Sequence, residues 1–202
     1  NGAESFVRTE LIREDSIEYR TYQVALADVA SKKSTLIVLS TGLGKTVIAA
    51  LVAARRLSEH KGSKVLFLAP SRPLVDQQAR FLRQVVALDS DSIVCLTGQD
   101  SPDERASIWR DAQIIAMTPQ ALQNDLVQRS YDLEDVSLVV YDEAHRGVGN
   151  YAYTFIAELY ERQGSNRLSV GLTASPGHKT EDVQKVCENL KLEHVEVRSE
   201  TS

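Results

Sequence analysis

Hydrophobic and polar positions along this chain follow two alternating rhythms. Short, nearly continuous apolar runs predict strands covered on both faces: Leu36-Ile37-Val38-Leu39, Val65-Leu66-Phe67-Leu68, Ile93-Val94-Cys95-Leu96, Ile114-Ile115-Ala116, Ser137-Leu138-Val139-Val140-Tyr141 and Ser169-Val170-Gly171-Leu172. Val195 to Val197 adds a candidate edge strand. Between these runs the spacing turns helical, with Val47, Leu51 and Ala54 in one stretch, Leu74, Gln78, Phe81 and Leu82 in the next, and Phe155, Leu159 and Arg162 in a third. Strand-helix-strand repetition forces parallel pairing and right-handed crossovers. The predicted fold class is therefore α/β, three-layered, with a mostly parallel central sheet. In such sheets ligands collect at the carboxyl ends of the strands, so the loops after strands are where chemistry is sought. The first 30 residues carry no strand. They read as a charged lead-in and a helix containing Tyr22, Val24, Leu26 and Val29, ahead of the sheet domain at 31–202.

Composition narrows the picture. The 202 residues are 43% apolar, enough for one buried core. No run approaches the ~18 uncharged apolar residues of a membrane span, and no basic-then-apolar leader opens the chain. Two cysteines, Cys95 and Cys187, are too few for a disulfide scaffold or a four-cysteine zinc site, and no Asn-x-Ser/Thr acceptor occurs, which suits a reducing, intracellular compartment. Opening at Asn1 and ending at Ser202, the chain reads as cut at both ends. The net charge of −5 does not exclude nucleic acid, because phosphate binding depends on local Lys, Arg and backbone N–H groups.

Two segments carry chemistry. Ser40-Thr41-Gly42-Leu43-Gly44-Lys45-Thr46 follows a predicted strand and opens a predicted helix. Phosphates need inward-pointing amides at a helix N-terminus, and Gly42 and Gly44 leave room for them. Lys45 adds a charge for the β- and γ-phosphates of ATP, and Thr46 a hydroxyl for Mg²⁺. The strict pattern wants glycine at position 39, where Leu39 stands. The second segment, Asp142-Glu143-Ala144-His145, follows the strand ending at Tyr141. There Asp142 is the candidate Mg²⁺ anchor and Glu143 the candidate base that orients and deprotonates the attacking water.

Together these segments resemble the first RecA-like P-loop NTPase domain of superfamily 2 helicases, and the resemblance runs through nearly all 202 residues. Tyr19-Arg20-Thr21-Tyr22-Gln23 is similar to the Q-motif, which implies that Gln23, with Arg20 beside it, reads the adenine. Ala69 to Val75 resembles motif Ia, Thr97-Gly98 the short motif that follows, Thr118-Pro119-Gln120 motif Ib, and Leu172-Thr173-Ala174-Ser175-Pro176 motif III. The stretch from Asp142 to Tyr153 is similar to the archaeal Hef and eukaryotic FANCM group, which act on forked and branched DNA. The resemblance implies sequence-blind backbone contacts from Ser71, Arg72, Thr97, Gly98, Thr118 and Gln120, and coupling of nucleotide state to nucleic acid through His145, Thr173 and Ser175. Turn or helix-cap roles are the alternative for each of these. It also implies a second RecA-like domain supplying arginines, for which these residues hold no segment. The compartment implied is the archaeal cytoplasm, beside the nucleoid, or a eukaryotic nucleus. An RNA-directed helicase of the same superfamily shares every catalytic feature; a small-molecule kinase or a non-catalytic clamp shares fewer.

Other residues read as structural. His60, His178 and His194 are expected to be solvated, and so are Lys32-Lys33 and Arg55-Arg56. Cys95 and Cys187 read as small buried hydrophobes, and Trp109 as packing. Tyr151, Tyr153 and Tyr160 share a helix that Asn150 caps.

Overall fold

The structure, a computed structural model, describes residues 5–40, 44–174 and 180–199. Seven strands form one parallel sheet: β1 (Thr35–Leu39), β2 (Lys64–Leu68), β3 (Ile93–Leu96), β4 (Ile114–Met117), β5 (Val136–Asp142), β6 (Ser169–Thr173) and β7 (His194–Arg198). Their order across the sheet is β3-β4-β2-β5-β6-β1-β7, every pairing being parallel. Each expected run is a strand, and 195–197 lies in edge strand β7.

Seven helices cover the two faces: α1 (Thr21–Ala30), α2 (Lys45–Glu59), α3 (Arg72–Val85), α4 (Pro102–Asp111), α5 (Pro119–Val127), α6 (Ala152–Gln163) and α7 (Thr180–Leu190). Side chains alternate along each strand, so Ile37, Phe67, Ile114 and Val140 meet α1–α3 on one face. Leu36, Leu66, Ile115 and Val139 lie on the other, with residues of α4–α7. The lead-in joins this body. Val7, Ile12 and Ile17 are buried in the first cluster, and Arg13 donates to the Arg83 and Leu88 carbonyls.

Several local expectations change. Arg56 is buried, not solvated, and donates to the carbonyls of Ser137 and Asn166, closing the start of β5. Tyr151, not Asn150, is the N-cap of α6, and no side chain makes the cap bond. Cys95 is half-buried; its thiol donates to Asp76, and burial together with that carboxylate pushes its pKa up to about 12. His194 is paired with Glu196 at 2.7 Å, while His178 lies outside the described residues. Trp109 is core packing as expected, stacked on Tyr131 with ring centroids 3.9 Å apart.

Candidate nucleotide and nucleic-acid site

β1 runs through Leu39, which is fully buried as its last residue, so the chain needs no glycine turn there. Thr41, Gly42 and Leu43 lie outside the described residues, but both flanks of the loop are in place. Gly44 ends it at φ +73° and caps α2 without a side-chain bond. A left-handed backbone is one reason for glycine here. A second is Gln23, from α1, whose amide packs so closely over Gly44 that a Cβ would collide with it. The buried Gln23 also donates to the Tyr22 hydroxyl at 3.3 Å. The Q-motif glutamine thus reaches the end of the glycine-rich loop. Arg20, one residue before α1, is exposed and pairs with Glu18 at 3.0 Å.

Lys45 and Thr46 open α2, half-buried. The Lys45 cation is near enough to Asp142, at the end of β5, to favour that carboxyl's anion. Burial works more strongly the other way and raises the Asp142 pKa above the usual carboxylate range. Each Asp142 oxygen has one donor: Oδ1 accepts from the Glu143 amide and Oδ2 from Gln78 Nε2, both at 2.9 Å. Glu143 has φ +53°, rare for a residue with a side chain and the sort of strain that gathers at functional sites. The half-exposed Glu143 carboxylate lies 3.3 Å from His145 Nε2, and His145 Nδ1 is 3.1 Å from Thr173 Oγ1 at the end of β6. His145 and Thr173 are therefore in contact; Ser175 lies outside the described residues.

The other expected contacts gather on the adjoining strands. Ser71 and Arg72 follow β2, Thr97 and Gly98 follow β3, and Thr118 and Gln120 follow β4, three neighbouring strands of one sheet edge. Ser71 and Thr118 occupy the N-caps of α3 and α5, yet neither side chain makes a capping bond. Arg72, Gly98 and Gln120 are exposed. Thr97 departs from expectation. It is 6% exposed, its N–H is taken by the Asp100 carboxylate at 2.9 Å and its carbonyl by Arg105, so its amide is not an outward phosphate donor. Polar side chains of the loop and of α4 fold inward and consume it.

Sequence reasoning missed three groups. Gln78 stood only as part of a helical pattern, although it reaches Asp142. Tyr153 was taken for packing, although its hydroxyl lies 2.6 Å from the Asp142 carbonyl and 3.1 Å from that of Leu68. Arg105 and Asp125 form a buried pair, with bonds of 2.8 and 2.7 Å, whose guanidinium also donates to the Thr97 and Asp100 carbonyls. Polar residues on otherwise apolar helix faces were the available signal; their partners were not.

A divalent cation with a nucleotide fits the residues present. Beside Asp142, the buried Oε1 of Gln78 has no partner among the described residues, and neither does Ser40 Oγ at the exit of β1. Such oxygens are costly unless a bound group or water completes them.

Comparison with known proteins agrees with this geometry. A Methanocaldococcus jannaschii protein, named provisionally as an ATP-dependent RNA helicase, is 45% identical across 96% of this chain and 25% of its own length. The Drosophila melanogaster DEAD-box ATP-dependent DNA helicase Fancm is 37% identical across 93% of this chain and 13% of itself. The crystal structure of the Pyrococcus furiosus Hef helicase domain superposes with a TM-score of 0.88 at 51% identity, covering 91% of this chain and 38% of that one. The chain thus spans a quarter or less of these two curated relatives. The profile of DEAD/DEAH box helicases matches residues 20–183, a span holding Gln23, Lys45 and the Asp-Glu-Ala-His segment, and the chain belongs to that family.

Proposed function

We propose that this chain is the nucleotide-binding motor half of an ATP-dependent DNA helicase or translocase that acts on forked or branched DNA in replication-fork repair. The observation that carries the proposal is that β1 and β5 both pair in parallel with β6, so that Lys45, after β1, and Asp142, at the end of β5, come to the same edge of the sheet. The name of the Drosophila relative, an ATP-dependent DNA helicase, supports DNA over RNA.

In this reading the loop 40–46, including Thr41, Gly42 and Leu43, receives the phosphates on its amides and on the N-terminus of α2. Lys45 neutralises the β- and γ-phosphates, Gln23 reads the adenine edge, and Arg20 flanks it. Thr46 and Asp142 hold Mg²⁺, which when bound neutralises charge on the phosphate oxygens. Glu143 accepts the proton of the attacking water. Facing Glu143 on one side and Thr173 on the other, His145 relays nucleotide state towards the nucleic acid, a role shared with Ser175. Ser71, Arg72, Gly98, Thr118 and Gln120 contact the DNA backbone, while Thr97 acts by holding its loop. A second RecA-like domain of the same polypeptide supplies arginines worth about 10³–10⁵ in rate in other phosphoryl-transfer enzymes. The work is done where the chromosome is, in an archaeal cytoplasm or a eukaryotic nucleus.

The test compares this chain with its full-length parent. The isolated chain is expected to bind ATP weakly and hydrolyse it at a near-background rate, and the parent to be stimulated by forked DNA. Multi-turnover hydrolysis by the isolated chain would refute the need for a second domain. Stimulation of the parent by duplex RNA and not by forked DNA would favour the RNA reading that the name of the Methanocaldococcus relative supports.

A further inference from the structure

We infer that Gln78 is a positioning residue of the nucleotide site, which holds the Asp142 carboxylate through its amide nitrogen and offers its amide oxygen to the hydration shell of the bound divalent cation. The inference rests on reading the site as one for a magnesium nucleotide.

Gln78 lies on the buried stripe of α3 with Val75, Ala79, Leu82 and Val85, where a methionine or leucine would fill the space without desolvating an amide. It is 5% exposed. Its nitrogen is matched, donating to Asp142 Oδ2 at 2.9 Å. The oxygen is not matched, since Oε1 is buried with no partner among the described residues. A buried unsatisfied oxygen is expensive, so an amide retained here points to a ligand or water that completes it. The nearest carboxylate is the candidate metal anchor, which makes the waters of that cation the fitting donors. Groups in this outer position orient a metal's carboxylate and are worth about 10–100-fold in affinity.

The placement has a mechanical consequence. α3 begins at Arg72, an expected DNA contact, and Gln78 lies six residues on, about 9 Å along a rigid helix. Tyr153 ties β2 to β5 at the same place, through the carbonyls of Leu68 and Asp142. A push on the N-terminus of α3 by a nucleic-acid backbone therefore reaches the Asp142 carboxylate through one side chain.

The experiment measures binding of a non-hydrolysable ATP analogue by this chain, with magnesium and with EDTA, for Gln78→Met and Gln78→Asn. Methionine fills the space without hydrogen bonds, and asparagine keeps the amide but cannot reach. Both variants should lose about 10–100-fold in affinity with magnesium and nothing in EDTA. The thermal midpoint of Gln78→Met should change little, because the orphaned oxygen and the donor to Asp142 Oδ2 are lost together. Unchanged magnesium-dependent affinity in both variants, or an equal loss with magnesium and EDTA, would overturn the inference while leaving the nucleotide reading intact. If the unsubstituted chain itself shows no magnesium-dependent binding, the nucleotide reading falls and the inference with it.

Discussion

Where β1, β5 and β6 end, polar groups are held in readiness: Gly44 and Glu143 both have positive φ, the buried oxygens of Ser40 and Gln78 lack partners among the described residues, and burial works against the Asp142 anion. Where β3 and β4 end, polar groups are consumed. Arg105 binds both Asp125 oxygens and two loop carbonyls, Tyr131 donates to Asp125 at 2.6 Å, and the Thr97 amide is taken by Asp100. Both regions are loops at one edge of one sheet, so the difference lies in their partners. An end that must accept a charged ligand keeps polarity unspent and stores strain. One that, in the proposed reading, presents a backbone-reading surface uses its polarity to fix the loop in advance.

That contrast can be broken from either side. The largest effect is expected in the consumed region. Asp125→Ala leaves the buried Arg105 guanidinium without its carboxylate and should cost about 3–5 kcal/mol in denaturant unfolding. Arg105→Met combined with Asp125→Leu should recover most of that stability. A loss well below this range for the single variant would mean that the loop is not fixed by the pair.

On the ready side, Lys45→Ala in the full-length parent should lower kcat by about 10²–10³-fold, the scale of losing one preorganised charge-stabilising contact in an active site. Forked-DNA affinity measured without nucleotide should be unchanged. A matching loss of DNA affinity would mean that the two regions are not separable.

The smallest effect concerns stored strain. Because burial raises the folded pKa of Asp142 above its unfolded value, the folded state holds that proton more tightly, and stability from this group falls as pH rises between the two values. At neutral pH the anion is a cost to the fold. Asp142→Asn should remove it, since the Gln78 amide can turn over to accept from the new side chain. The expected gain is about 1 kcal/mol, roughly 2–4 °C in Tm, alongside loss of turnover. Melting curves at neutral pH and below the carboxylate range check the sign, because the gain should vanish in acid.

Much of the fold was legible because its signals are local. Apolar runs with polar ends mark strands that must be covered on both faces, and the glycine-rich loop and acidic pair each follow such a run. α5 escaped notice because PQALQNDLV mixes polar and apolar residues too evenly to show a stripe, and its proline start was read only as a motif. Arg56 was taken as solvated because nothing adjacent in the chain reveals two carbonyls waiting at Ser137 and Asn166. Trp109 met its stacking partner at Tyr131 across the fold, not along the helix.

Order along the chain is enough to say that this polypeptide alternates strand and helix, places a lysine after one strand and two acids after another, and sends ligands to one edge. Local propensity and burial settle those points within a few residues. Which polar groups are spent and which stay open was decided only when the strands paired, bringing Gln23 over Gly44, Gln78 to Asp142 and Arg105 to Asp125. The cost of a buried donor or acceptor depends on the group facing it, and here that group comes from a distant part of the chain.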